Sequence, residues 1–299
     1  MQSKNLFKPY LALVIGAFSV STSAILVKWA QAPAAVIAFY RLFFTVLLMT
    51  PFCIPYIGEL KAIAKRDWLF SFISGVLLAF HFILWFESLN YTSVTSSVVL
   101  VTLQPLFAFV GGYVFFKEKL TIGAFLSGLL AIFGSIIISW GDFQISGKAL
   151  FGDILALLAC VMITGYWLFG QDLRKRLSLV VYTYVVYGVS AITLFLYVIV
   201  FRYPLFLYGQ MDWICFLLLA IVPTLLGHSL MNWSVKWISA ATISMGILFE
   251  PVGASILAYF LLGEVIQPSQ WIGGSFILTG IGTYLWSEKS KETATNIRK

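Results

Sequence analysis

Residues 89–140 read LNYTSVTSSVVLVTLQPLFAFVGGYVFFKEKLTIGAFLSGLLAIFGSIIISW, and residues 235–286 read VKWISAATISMGILFEPVGASILAYFLLGEVIQPSQWIGGSFILTGIGTYLW. A shift of 146 lays one on the other without a gap, matching Ser93 with Ser239, Pro105 with Pro251, Tyr113 with Tyr259 and Glu118 with Glu264. Gly128 falls on Gly274, Gly134 on Gly280 and Trp140 on Trp286. Chance similarity between apolar stretches would match Leu and Val. Here the matches include a mid-helix proline, a lone glutamate and helix-packing glycines, so the chain is two copies of one unit.

The composition says where those copies live. Of 299 residues 61% are hydrophobic and only 10% charged, and the mean hydropathy is +0.96. No water-soluble core hides that much apolar surface, so the partner of this surface is the lipid bilayer. Crossing about 30 Å of hydrocarbon takes about 20 helical residues, too long for barrel strands, and a helix satisfies its own backbone. The pattern predicts an all-α integral membrane protein of ten spans, at about 10–29, 34–54, 69–88, 93–116, 122–140, 152–171, 178–201, 213–234, 239–262 and 269–287.

Residues 1–141 form the first five-helix repeat, 142–287 the second, and 288–299 a polar cytoplasmic tail expected to be unstructured. Five is odd, so the second copy enters from the opposite face and the repeats are inverted. The net charge of +7 is a topology signal and no footprint for nucleic acid. Placing both termini in the cytoplasm puts 15 Lys and Arg inside and 3 outside, with Arg41 within the second span. Lys4 and Lys8 ahead of an apolar run imitate a cleavable signal, but its removal would leave the first copy one helix short. Cys53, Cys160 and Cys215 show neither a disulfide framework nor a metal-ligand spacing.

Inverted repeats are a recurrent build of secondary transporters, with the substrate site near the midplane between the copies. The motif of Thr92-Ser93, Pro105, Gly111-Gly112, Glu118, Gly128 and Gly134 repeats as Ser239-Ala240, Pro251, Gly263-Glu264, Gly274 and Gly280. It resembles the EamA-like family of the drug/metabolite transporter superfamily over nearly the whole chain. That resemblance implies a ten-helix carrier in the cell (plasma or inner) membrane with both termini inside, usually exporting small metabolites such as amino acids.

Glu250 is the most informative position. It sits mid-span, where an ionised carboxylate needs a cation or a proton, and where its repeat equivalent is Gln104. It is read as a proton carrier or as the partner of a substrate ammonium. The competing reading is structural: a pair with Arg41, or a protonated hydrogen bond to a neighbouring helix. Pro105 and Pro251, one residue further on, each delete a helix hydrogen bond and mark hinges or inert kinks. Arg41 costs about 2.5–3.5 kcal/mol at a helix centre on insertion scales, so it takes a partner or a vestibule, or else snorkels to the headgroups.

In the third span Ser74, His81, Trp85 and Ser88 share a helical stripe, and in the eighth Thr224, His228 and Asn232 follow at four-residue steps beyond Pro223. Both stripes are expected to line a cavity, with structural histidines as the alternative. Tyr166 and Trp167 of the sixth span and Ser97 of the fourth join the candidate binding set. Glu118 and Glu264 fall at span ends and are expected to stabilise helix starts or act as gate elements.

The expected function is a secondary transporter for a neutral or zwitterionic small molecule, by alternating access driven by protons or exchange. A passive channel or facilitator is the alternative, then an intramembrane enzyme, for which no nucleophile and base are in place. No phosphate-binding glycine loop is present, no cofactor or metal is expected, and the assembly is read as a monomer or homodimer.

Overall fold

The computed structural model describes residues 6–92, 94–139, 147–263 and 266–297. Every regular element there is helical. The first copy runs α1 (Phe7–Ser21), α2 (Ser23–Trp29), α3 (Ala34–Cys53), a short turn into α4 (Ile57–Lys61), α5 (Lys65–Ser88), α6 (Val94–Val101), α7 (Gln104–Phe116) and α8 (Ile122–Ser139). The second runs α9 (Gly147–Leu173), α10 (Leu179–Val200), α11 (Gln210–Leu219), a π-helical stretch (Ala220–His228), α12 (Ser229–Ser234), α13 (Ala240–Ile247), α14 (Glu250–Leu262) and α15 (Pro268–Ile297). Among the described residues eight stretches are long and apolar enough to cross a membrane, α8 is a shorter apolar helix, and α15 packs along it. The tail after Trp286, expected to be unstructured, instead carries α15 on to Ile297.

Four spans expected as single helices are interrupted, the first of them at Thr22, between α1 and α2. The fourth and ninth divide at the same place in each copy, just before Pro105 and Pro251. Proline brings no N–H and its ring displaces the carbonyl four residues back, so the helix restarts with proline in its first turn. Both second halves end alike: Lys117 and its equivalent Gly263 take left-handed backbone, φ 56° and 69°. Glycine adopts that conformation without penalty, whereas lysine pays a steric cost to end the helix at the same point.

The eighth span holds the π stretch around Pro223. A π turn absorbs one extra residue into a helix. The register of the copies shows that residue: Asp67-Trp68 recurs at Asp212-Trp213, a shift of 145, while Ser93 recurs at Ser239, a shift of 146.

Counterpart helices of the two copies run antiparallel to one another. α3 meets α10 with Phe39 at Phe195 (ring centroids 5.5 Å) and Thr50 at Tyr184 (3.4 Å). α8 meets α15 from Gly123 beside Ser287, through Ala131 beside Gly280, to Gly134 beside Gly273 and Ile277. A side chain at Gly134 or Gly280 would collide with the opposite backbone, so glycine sets how closely this pair packs. The other contacts obey the same pairing: α9 lies along α5 as α1 lies along the π stretch and α12.

First-turn acids clamp the turns. Asp67 accepts from Arg176 (2.9 Å), which also reaches Asp172 (2.6 Å), while Asp212 accepts the backbone N–H groups of Gln31 (2.6 Å) and Ala32 (3.2 Å). Asp172 first, then Asp67, hold the Arg176 guanidinium above its ordinary pKa range.

Candidate functional site

The two breaks and the π stretch converge on one small cavity. Val20, His81, Trp85, Val101, Gln104, Ile163, Trp167, His228, Met231, Ile247 and Glu250 line it. Its volume of about 20 Å³ holds one water. Two repeat-equivalent pairs face it, Val101 with Ile247 and Gln104 with Glu250, so the cavity lies where the copies meet.

Each wall has a local cause. Trp85 lies one helical turn beyond His81 and stacks on it (5.7 Å, 25°), and the imidazole Nδ1 sits 3.0 Å from the Ala159 carbonyl. Opposite, Trp167 stacks on His228 at 5.6 Å and 12°. Gln104 heads α7 and donates from Nε2 to the Val101 carbonyl (3.3 Å), the acceptor that Pro105 leaves without its backbone donor. That bond assigns the amide and leaves Oε1 as a free acceptor. Glu250 heads α14, 4% exposed, and makes no ion pair or hydrogen bond among the described residues.

Five buried polar atoms of this wall find no partner among the described residues: Trp85 Nε1, Trp167 Nε1, Gln104 Oε1, His228 Nδ1 and Glu250 Oε1. An unsatisfied buried donor or acceptor costs about 1–3 kcal/mol, so five in one small space are costly together unless water or a polar group meets them. The two indoles are donors, and Gln104 Oε1 is an acceptor, as is an ionised Glu250.

Arg41 lies behind this wall, fully buried. It donates from Nε to Thr224 (2.7 Å) and from Nη1 to Ser23 (3.2 Å), with its guanidinium 4.2 Å from the Phe82 ring centroid. It therefore neither snorkels nor forms an ion pair with Glu250. A turn further, Asn232 donates to Tyr166 and to Tyr187 (3.3 Å).

Six of the candidate residues thus come together on the cavity: His81, Trp85, Gln104, Trp167, His228 and Glu250. Tyr166 and Asn232 form the layer behind, and Pro105 and Pro251 sit at the breaks. Ser97 lies elsewhere, bonded to Ser88 (2.5 Å) as a tie between the third and fourth spans, and Ser74 bonds Tyr182 (3.2 Å). Glu118 accepts from Gln171 Nε2 (2.6 Å), whose Oε1 accepts the Ala240 N–H (2.5 Å), so one residue joins the end of α7 to the start of α13. Glu264, Ser93 and Trp140 fall outside the described residues. Tyr187 and the apolar lining were not among the candidates, since nothing in an apolar span separates a cavity wall from lipid-facing neighbours. The change of register from 145 to 146 was the readable sign of the π stretch.

An all-helical membrane protein of two repeated units meeting at a small cavity that carries unpartnered polar atoms has the build of a transporter, and comparison with known proteins gives its family. The model described as the EamA-like transporter family matches the chain twice, over residues 7–140 and 150–286. The chain belongs to that family, of the drug/metabolite transporter superfamily, and is a transporter and not an enzyme. It is similar to an uncharacterized transporter of Archaeoglobus fulgidus, 22% identical over 90% of this chain and 93% of that one. A putative permease-like protein of Bacillus subtilis, YdzE, is 34% identical over 25% of this chain and 94% of its own length. One crystal structure of a protein, 15% identical, shares the fold with a TM-score of 0.78 over 95% of this chain and 98% of that one.

Proposed function

We propose that this chain is a secondary transporter that exports a small neutral or zwitterionic metabolite, such as an amino acid, across the cell membrane. It works by alternating access, with the copies as inverted repeats, both termini cytoplasmic, and a proton gradient or exchange as the driving force. The observation that carries this reading is the set of unpartnered atoms on the small cavity. Trp85 and Trp167 offer N–H donors suited to a carboxylate, and Gln104 and Glu250 offer oxygens suited to an ammonium. Arg41, the one nearby cation among the described residues, is held through Nε and Nη1 by Thr224 and Ser23 and lies over Phe82, with Nη2 left unpartnered; a single cation set behind the wall suits one carboxylate and not a polyanion.

A channel needs a continuous wet path, and a cavity with room for one water works against it. Broken helices at the midplane are instead the recurrent device of carriers, whose half-helices move around a fixed site.

The test is a screen of amino acids and related zwitterions in sealed proteoliposomes, with and without a pH difference. Saturable uptake with counterflow is the expected outcome. Linear flux without counterflow would make the protein a channel, and uptake limited to multiply charged anions would sink the proposed substrate class.

A further inference from the structure

The two proline breaks are repeat equivalents with one chemical difference. In the first, Pro105 leaves the Val101 carbonyl without a backbone donor, and Gln104 Nε2 supplies one at 3.3 Å. In the second, Pro251 leaves the Ile247 carbonyl in the same state, and the residue in the place of Gln104 is Glu250. All four residues line the cavity. A carboxylate has no hydrogen to donate; a carboxylic acid has one.

We propose that Glu250 is a proton-operated cap for the break in the ninth span: protonated, it donates to the Ile247 carbonyl as Gln104 does to Val101. Ionised, it sets two acceptors face to face in a space for one water. That arrangement requires water or a cationic group between them and holds the break open. Gln104 is then a permanent copy of the protonated state, and only one of the two inverted units responds to protons. The proposal rests on the proton-linked transporter reading and deepens it by assigning what the proton does.

The other titratable and charged groups facing this site are His81 on α5, His228 on the π stretch, Arg41 on α3 and Tyr166 on α9, with Tyr187 on α10 behind them. Helices packed directly on α13 and α14 also carry Lys8 and Tyr10 (α1), Lys28 (α2), Tyr113 (α7), Asp153 and Asp172 (α9), all toward helix ends, and at mid-helix Tyr284 (α15), whose hydroxyl lies 3.2 Å from Thr242 Oγ1. Of these groups only the histidines ordinarily titrate near neutrality, so they need their own control.

The experiment is amide hydrogen exchange of the purified full-length protein in nanodiscs, at acidic and alkaline pH, corrected for intrinsic rates. In the wild type, amides around the ninth-span break should be protected about five- to tenfold more at acidic pH, the ratio of one neutral hydrogen bond. Glu250→Gln should hold the protected pattern at both pH values. Glu250→Ala should hold the open one. Gln104→Glu should give the fourth span a pH response it lacks in the wild type. The wild-type response should survive His81→Gln and His228→Gln.

A Glu250→Gln protein that keeps the wild-type pH response would overturn the cap, as would a Gln104→Glu protein unchanged in the fourth span. Should Glu250→Ala not fold, the Gln104→Glu arm still decides. Proton-independent transport in liposomes would sink the coupling reading while leaving the exchange difference intact, so the two failures are distinguishable.

Discussion

A carboxyl at the start of α14, walled in by two tryptophans, two histidines and an amide, sets the chemistry at the scale of single residues. Glu250→Gln keeps the shape and one acceptor but removes the titration. The expected result is uptake that no longer responds to an imposed pH difference, while substrate exchange between the two sides persists. Full, pH-dependent activity in a folded Glu250→Gln protein would take Glu250 out of the coupling role. The indoles make a separate prediction. Trp167→Phe keeps an aromatic ring against His228 but removes the N–H together with part of the indole, so the apparent KM should rise at least about five- to tenfold, the loss of one hydrogen bond. Trp85→Phe should do the same. An unchanged KM in both would mean that these donors do not touch substrate.

At the scale of elements, the eighth span is where a small change should have a large effect. Its π stretch lets Thr224 reach Arg41 while His228 stacks on Trp167 and Asn232 bonds Tyr166. Deleting the exposed Leu226 would remove the residue that the π stretch absorbs and restore regular helix, closing the widened turn that presents Thr224, His228 and Asn232 to their partners. The protein should still insert, since the span stays long and apolar, but transport should fall more than tenfold. Wild-type transport from a well-folded deletion variant would show that the stretch has no functional geometry to keep. The α8 and α15 pair makes the opposite kind of prediction. Gly134→Leu or Gly280→Leu wedges two helices apart at a backbone contact and should cost about 1–3 kcal/mol in detergent unfolding, with substrate affinity in the surviving fraction little changed.

The whole molecule is two copies crossing antiparallel, with the cavity between them and first-turn acids clamping the turns at their ends. The bias of Lys and Arg predicts that tags on both termini will be reached by protease only when the cytoplasmic face is opened. Opposite accessibility of the two termini would mean an odd number of crossings and would undo the inverted arrangement. Both copies carry the proline, the left-handed helix end and the close-packing glycines, so the architecture is shared. The extra residue of the eighth span and the change from Gln104 to Glu250 belong to one copy, and these differences break the symmetry of the frame.

The sequence by itself determined the frame. Apolar length dictates helices because lipid offers the backbone no hydrogen bonds, and the 146-residue shift dictates two units because proline, glycine and glutamate do not recur together by chance. It also singled out His81, Trp85, Gln104, Trp167, His228 and Glu250, since polar groups are costly inside a membrane and a helical stripe shows which of them share a face. Only the tertiary structure decided what each of these groups meets. It buried Arg41 against Thr224, Ser23 and Phe82, turned Ser97 toward Ser88, and brought Tyr187 to Asn232. Such pairings join helices far apart in the chain. Spacing along one helix says which face a residue is on, and packing alone says what that face touches.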